Sequence, residues 1–305
     1  MNPQKIGIAI VAPSGYTLDT DAVQRGIARL EALGHTVFNY FEPSRVFQRF
    51  GASDEERLAQ LAHAAANPEV QVVMALRGQY GLTRILPQID FAQMASSGKI
   101  FVGFSDFTAF QMGLFAKTGA MSYAGPMLFS DFGQPGVVDF TIGDFFRCLA
   151  SRTHFISQAA SGNPALEVHG TIWGGNLAMI ASLLGTDYFP QVDDGILFIE
   201  DVNEHPYRVE RMLLQLMQAG VLARQKALVL GDFSAYALGP ADNGYNFDTM
   251  LAYLRATLPI PVLTGLEFGH GPKRVTIPFG ARTTLRSDAA HFELSMSGYP
   301  NLAHA

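Results

Sequence analysis

A serine stands at the end of an apolar segment, in Gly103-Phe104-Ser105-Asp106. Residues 100–104 have the composition of a strand, and residues 106–117 that of a helix. A sharp strand-to-helix turn places a hydroxyl above the carboxyl edge of a parallel sheet, where the Asp106 N–H points at an oxyanion beside Ser105. Alternatively, Ser105 only caps the helix, since Phe107 stands where a nucleophile elbow has its second glycine.

A nucleophilic serine needs a general base and a group that orients the base. His270 lies between Gly269 and Gly271, and glycines allow such a loop to approach a substrate closely. The apolar segment 195–199 ends in Glu200 and Asp201. A carboxylate at this point can orient an imidazole, or it can simply favour the N-terminus of the helix that follows.

The remaining histidines and the single cysteine point to no second reactive centre. His35, His63 and His291 are interpreted as surface residues, and no histidine pair has the helical spacing of a zinc site. Cys148 lies in an apolar run typical of a buried structural thiol. We therefore expect no metal and no cofactor.

Two glycine-containing segments are predicted to form turns near the serine. Arg77-Gly78-Gln79-Tyr80-Gly81 follows the third strand, and the Gly78 N–H is a candidate second oxyanion donor. Trp173-Gly174-Gly175-Asn176 precedes a helix and is a candidate anion-binding backbone nest. Neither is a phosphate loop, and each is also compatible with an ordinary turn.

The elements that must position these residues alternate in the first half of the chain. Strands are predicted at residues 6–11, 36–40, 70–76 and 99–104, with helices between them. Ser53 and Glu56 form a capping box that opens one of these helices. Strands separated by helices of this length predict a parallel sheet covered on both faces.

The second half has a different character. Glycine and proline interrupt the pattern between about 135 and 165, which predicts a linker or crossover. Strands follow at 168–172, 195–200, 227–230 and 262–265, and helices at 176–184 and 206–219. From Arg274 to Ser297 apolar and polar residues alternate, which predicts mostly antiparallel strands.

Composition limits the function classes. The 305 residues are 48% hydrophobic and 16% charged, so a large core is expected. The net charge of -6 argues against nucleic-acid and anionic-membrane partners, because phosphates attract basic surfaces. The apolar stretch 6–11 is too short for a signal peptide, so we expect a cytoplasmic protein.

Taken together, these segments resemble the LD-carboxypeptidase (muramoyl-tetrapeptide carboxypeptidase) family of serine peptidases over nearly the whole chain. Several ordered motifs on one chain are more specific than any single one. They are Ala12-Pro13-Ser14-Gly15, the Arg77–Gly81 segment, Gly103–Thr108, Gly125-Pro126-Met127, Trp173–Leu177, Ile199-Glu200-Asp201, His205–Leu213 and Phe268-Gly269-His270. Gln79 departs from the family, which commonly has glycine there.

The resemblance implies a nucleophile at Ser105, a general base at His270 and an orienting carboxylate at Glu200. It also implies an oxyanion hole from the Gly78 and Asp106 amides. The expected fold is α/β: a parallel-sheet N-terminal domain of the Rossmann or flavodoxin type (1–135), the linker or crossover (136–165), and a β-rich C-terminal domain (166–305). The active site is expected where the two domains meet.

The implied reaction removes the terminal D-alanine of a murein tetrapeptide during peptidoglycan recycling, in a homodimeric enzyme. Substrate-binding candidates follow from the need to hold a carboxylate and a peptide. They are Arg77, Arg84, Trp173, Gly174 with Gly175, Tyr207, Arg208 and Arg211. One alternative is a hydrolase of peptidyl- or aminoacyl-nucleotide antibiotics, with Trp173 or Tyr207 as aromatic platform. The other is a non-catalytic peptide-binding protein.

Overall fold

The computed structural model describes residues 5–136 and 138–303. One sheet contains five parallel strands in the order 2-1-3-4-5, with an antiparallel strand beside the fifth. Its strands are β1 (Gly7–Val11), β2 (Thr36–Asn39), β3 (Val72–Ala75), β4 (Ile100–Gly103), β5 (Ser122–Ala124) and β11 (Ile277–Phe279). This strand order is that of the flavodoxin-like folds, in which ligands bind outside the carboxyl ends of the strands.

Helices follow each of the parallel strands of this sheet. They are α1 (Thr20–Ala32), α2 (Asp54–Ala66), α3 (Leu82–Ile85), α4 (Phe91–Ser96), α5 (Thr108–Thr118) and α6 (Asp139–Leu149). Every residue of β1, β3 and β4 is buried, as expected for parallel strands covered on both faces. The Ser53–Glu56 capping box is present at the start of α2.

The second sheet is mixed. Its order is β10-β9-β8-β7-β12-β13-β6, parallel from β10 to β7 and antiparallel from β7 to β6. The strands are β6 (Thr153–Ala159), β7 (Leu166–Asn176), β8 (Gly195–Val202), β9 (Gln225–Ser234), β10 (Val262–Thr264), β12 (Arg282–Ser287) and β13 (His291–Ser297). The helices here are α7 (Leu177–Leu183), α8 (Pro206–Gln218) and α9 (Phe247–Thr257). The predicted fold class, a parallel α/β sheet followed by a β-rich part, is confirmed.

Two segments differ from their sequence-based predictions. The segment 136–165, predicted as a linker or crossover, contains α6 and β6, and β6 pairs with β13 at the edge of the second sheet. The buried face of α6 includes Phe145, Cys148 and Leu149. Gly143 interrupts the apolar pattern of this helix, so the sequence did not indicate it. The strand β11, predicted to join the C-terminal strands, instead pairs with β5 in the first sheet. The division into two domains stays a prediction.

Of the three histidines predicted to lie at the surface, His63 and His291 are exposed, but His35 is buried. It precedes β2, and α6 covers it there, with the His35 and Phe146 rings stacked 4.7 Å apart. Burial lowers the pKa of His35. Within the part of the chain that the structure describes, no helix combines the length and apolar character needed to cross a membrane.

Candidate active site

Ser105 opens a short 3₁₀ turn, Ser105–Phe107, between β4 and α5. Its φ of 62° lies in the left-handed region, which costs about 1–3 kcal/mol for a non-glycine residue. The turn is tight, and Gly103 leaves room for the Phe107 ring, because a Cβ added at Gly103 would lie 2.8 Å from that ring. This conformation lifts the hydroxyl above the edge of the sheet, as in a nucleophile elbow.

Two residues from the C-terminal half of the chain form a hydrogen-bonded series with this hydroxyl. His270 Nε2 lies 3.2 Å from Ser105 Oγ, and His270 Nδ1 lies 2.7 Å from Glu200 Oε2. The Glu200 side chain is fully buried at the end of β8, and 22% of the His270 side chain is exposed. A buried carboxylate, an oriented imidazole and a serine hydroxyl within hydrogen-bond reach are what base-activated nucleophilic attack requires.

The Gly78 backbone approaches Ser105 closely. A Cβ added at Gly78 would lie 2.7 Å from Ser105 Oγ and 3.5 Å from the Asp106 amide nitrogen. Only glycine fits here, and the Gly78 and Asp106 backbones converge beside the hydroxyl. Converging amide donors of this kind can stabilise an oxyanion.

The Asp106 carboxylate ties the neighbouring loops to the serine turn. Asp106 Oδ2 accepts hydrogen bonds from Ser14 Oγ at 2.6 Å and from the Leu82 N–H at 2.8 Å. Ser14 follows β1 and Leu82 opens α3, so three loops meet at one oxygen. Burial raises the pKa of Asp106 to about 6, although both hydrogen bonds act in the opposite direction.

Comparison with known proteins decides the family. Residues 8–125 match the LD-carboxypeptidase N-terminal domain, and residues 169–285 match the LD-carboxypeptidase C-terminal domain. The chain belongs to the LD-carboxypeptidase family. The three residues brought together above are drawn from both matched regions.

Among the individual proteins to which the chain is similar are two named as carboxypeptidases and one named as a self-immunity protein. The chain is 28% identical over 285 residues to a probable murein peptide carboxypeptidase of Bacillus subtilis, covering 92% of this chain and 88% of the relative. It is 26% identical over 272 residues to the microcin C7 self-immunity protein of Escherichia coli, covering 79% and 78%. The crystal structure of muramoyltetrapeptide carboxypeptidase from Oxalobacter formigenes superposes with a TM-score of 0.93 and 50% identity, covering 97% of this chain and all of the other.

Asn176 supports Glu200, a role that the sequence analysis did not assign to it. Asn176 Nδ2 donates to Glu200 Oε1 at 3.2 Å and to Asp201 Oδ1 at 3.0 Å. The Asn176 N–H donates to Thr108 Oγ1 at 3.1 Å, which connects this network to the helix behind Ser105. Burial, followed by the Glu200 charge, raises the pKa of Asp201 to about 6. An asparagine between a strand and a helix is a usual N-cap, and that was the available sequence signal.

Arg274 holds the loop that carries His270. Its guanidinium donates to the carbonyls of Gly269 at 2.7 Å and Gly271 at 3.3 Å, on either side of the histidine. It also pairs with Asp131 at 2.8 Å and lies 3.9 Å from the centre of the Phe104 ring. Arg274 is buried, and no local sequence pattern distinguishes it from a surface arginine.

Trp173 and Gly174 do not form the predicted substrate-binding turn. Both belong to β7, in parallel register with Leu197 and Phe198 of β8. Trp173 is fully buried, donates from Nε1 to Gln225 at 2.8 Å, and so is a core residue with no exposed face for a substrate. A Cβ added at Gly174 would lie 1.8 Å from the Phe198 carbonyl oxygen, so close strand packing explains this glycine.

The arginine candidates have different surroundings. Arg84 is paired with Asp54 at 2.7 Å. Arg77 is half-buried beside Gly78, where it donates to the Tyr16 carbonyl at 3.0 Å and burial lowers its pKa. Arg208 and Arg211 lie on α8 with Tyr207, and Arg208 donates to the Tyr207 hydroxyl at 3.2 Å.

Gln79 stands where the family commonly has glycine. The φ of Gln79 is 68°, in the left-handed region. Its side chain packs over Gly15, because a Cβ added at Gly15 would lie 2.5 Å from Gln79 Oε1. The Gly15 N–H also donates to the Gly78 carbonyl at 3.1 Å. The glutamine therefore adds side-chain contacts between the loop after β1 and the loop that carries Gly78.

Proposed function

We propose that this protein is a serine LD-carboxypeptidase that removes the terminal D-alanine from murein tetrapeptides. The observation that carries the proposal is the Ser105–His270–Glu200 hydrogen-bonded chain, assembled from two sheets in a member of this family. The names of the relatives from Bacillus subtilis and Oxalobacter formigenes support the same substrate class.

In the proposed reaction, His270 Nε2 takes the Ser105 proton as Oγ bonds to the carbonyl carbon of the scissile amide. The N–H groups of Gly78 and Asp106 stabilise the oxyanion of the tetrahedral intermediate. His270 then protonates the departing amine of D-alanine, which leaves an ester on Ser105. Water attacks the ester with His270 again as base, and this step releases the tripeptide and restores the serine.

An exopeptidase must also bind the free carboxylate of its substrate. Arg77 is the most suitable of the four candidate arginines, because it adjoins Gly78 and its buried Nε has no hydrogen-bond partner among the described residues. A guanidinium with N–H groups to spare can bind a carboxylate. We assign Arg77 to the terminal carboxylate, and Tyr207, Arg208 and Arg211 to a more distant part of the peptide.

The physiological setting follows from the proposed substrate. An enzyme that converts tetrapeptides to tripeptides would serve peptidoglycan recycling, and we place it in the cytoplasm as a homodimer. Cell fractionation tests the compartment, and light scattering on a size-exclusion column tests the dimer.

The decisive assay uses purified protein and L-Ala-γ-D-Glu-meso-diaminopimelate-D-Ala, with free D-alanine as the readout. The wild type should release D-alanine, and Ser105→Ala should lose at least about 10³-fold in kcat because the nucleophile is gone. Equal melting temperatures would show that the variant is folded. Equal release by both proteins would disprove the assigned nucleophile, and no release by the folded wild type would disprove the substrate.

The second candidate function is hydrolysis of aminoacyl- or peptidyl-nucleotide antibiotics, supported by the similarity to the microcin C7 self-immunity protein. Of the two aromatic residues expected to serve as a platform, Trp173 is in the core and only Tyr207 is exposed. The structure thus offers less for this function. Incubation with an aminoacyl sulfamoyl adenosine, in parallel with the tetrapeptide, separates the two activities.

A further inference from the structure

Asp232 is an acidic residue beside the His270 loop, and among the described residues no donor forms a hydrogen bond with its Oδ2 atom. It lies in β9, the strand beside the one that carries Glu200. Its Oδ2 atom is buried and without a partner among the described residues. By contrast, both carboxylate oxygens of Glu200 and both of Asp201 have hydrogen-bond partners. A carboxylate oxygen removed from water without a donor is unfavourable unless a ligand supplies one.

This carboxylate adjoins the loop that carries His270. The Asp232 N–H donates to the Phe268 carbonyl at 2.8 Å. A Cβ added at Gly269 would lie 2.8 Å from Asp232 Cβ and 3.2 Å from Glu200 Cβ, so the Gly269 backbone lies against both acidic residues. A Cβ added at Gly271 would lie 3.3 Å from Asp232 Oδ2. A ligand group that reaches Asp232 therefore lies beside the loop that carries His270.

A cavity of about 360 Å³ opens at this point and contains both signs of charge. Its lining includes Asp232, Glu267 and Lys273, and Pro272 adds apolar surface. Gln158 Nε2 donates to Glu267 Oε2 at 3.1 Å, so Glu267 already has a protein partner. Asp232 and the exposed Lys273 remain as the two charged groups for a ligand that has both an ammonium and a carboxylate.

We infer that this cavity is the subsite for the zwitterionic side chain of the residue on the acyl side of the scissile bond, here diaminopimelate. Asp232 accepts hydrogen bonds from the protonated amine of that side chain, and Lys273 pairs with its carboxylate. The methylene groups of the side chain cross the apolar surface of the cavity. The inference rests on the proposed function and deepens it, since it names the groups that select the third residue of the peptide.

The test uses three tetrapeptides that differ only at the third residue: meso-diaminopimelate, lysine and norleucine. Lysine lacks the side-chain carboxylate, and norleucine lacks both charged groups. D-Alanine release is measured for the wild type, Asp232→Asn, Lys273→Met and the control Asp187→Asn. Asp187 is an exposed acidic residue in another part of the molecule, and its substitution makes the same charge change.

Asp232→Asn should lower kcat/KM about 10- to 100-fold for the diaminopimelate and lysine peptides, mainly through KM. It should change kcat/KM for the norleucine peptide by less than about twofold, and that nearly unchanged turnover also shows that the variant is folded. Lys273→Met should lower kcat/KM for the diaminopimelate peptide alone. Asp187→Asn should resemble the wild type.

Two results would overturn the subsite while the proposed function stands. One is an equal loss on all three peptides in Asp232→Asn, which would make Asp232 a support of the His270 loop. The other is no loss on any of them. Absence of D-alanine release from every peptide by the wild type would instead overturn the proposed function, and the subsite with it.

Discussion

At the residue scale, one buried arginine holds the backbone of the loop that carries His270. Arg274 donates to carbonyls on both sides of the histidine and pairs with Asp131, which lies in the short π-helix Leu128–Gly133 after β5. The planar guanidinium serves these partners from fixed directions, and an ammonium cannot do this. Arg274 is thus a positioning residue that acts through His270.

We predict that Arg274→Lys lowers kcat for D-alanine release about tenfold and leaves KM within about twofold. The lysine keeps the charge beside Asp131 but cannot donate to both carbonyls from the fixed directions of a guanidinium. The free energy of unfolding should fall by about 1–3 kcal/mol. The matched control is Arg255→Lys, because Arg255 also donates to a carbonyl and a side chain but lies on α9. Equal kcat losses in both variants would contradict a positioning role.

At the element scale, the position of Glu200 depends on how closely β7 packs against β8. Gly174 and Gly175 have φ values of 142° and 134°, in a region that disfavours other residues. Gly174 meets the Phe198 carbonyl, and Gly175 meets Thr108 on α5. These two glycines let one strand contact both its neighbour and the helix behind Ser105.

Gly174→Ala should therefore lower the free energy of unfolding by about 3 kcal/mol or more, because its Cβ cannot avoid a backbone atom. The control is Gly143→Ala in α6, whose Cβ would meet only the end of the Arg147 side chain at 3.2 Å. That change should be neutral or stabilise by up to about 1 kcal/mol. Urea denaturation measures both, and similar values for the two variants would refute the packing argument.

At the scale of the whole molecule, packing buries two carboxyl groups whose pKa values are raised to about 6, Asp106 and Asp201. Their ordinary pKa in an unfolded chain is near 3.8. Between these values the folded protein binds more protons than the unfolded chain, so the free energy of unfolding falls as the pH rises. Most of the loss has occurred by about pH 6, and each group contributes at most about 3 kcal/mol.

We predict that the wild type loses stability from pH 4 to 6.5 and that Asp106→Asn loses less over the same range. The asparagine oxygen can still accept from Ser14 and Leu82, so the substitution mainly removes the titrating group. Urea denaturation at four pH values between 4.5 and 7.5 gives both profiles. Parallel profiles would show that Asp106 does not titrate in this range.

Much of the fold could be predicted from local patterns. The strands of the first sheet are continuous apolar runs, and helices such as α2 and α8 have caps or periodic apolar faces. The glycines around Ser105 and His270 are local signals too, because close approach of the backbone requires them. Trp173 was misplaced because an aromatic residue beside two glycines has the same composition in a turn and in a tightly packed strand.

The sequence by itself determined most of the elements, the family and the three residues of the candidate triad. Their types and the ends of strands at which they occur are properties of short segments. Only the tertiary structure decided that residues 105, 200 and 270 meet and that Asn176 and Arg274 support them. It also decided that Asp232 Oδ2 is buried without a donor among the described residues. These features depend on directions and distances between segments far apart in the chain, and pairing and packing of the two sheets set those distances.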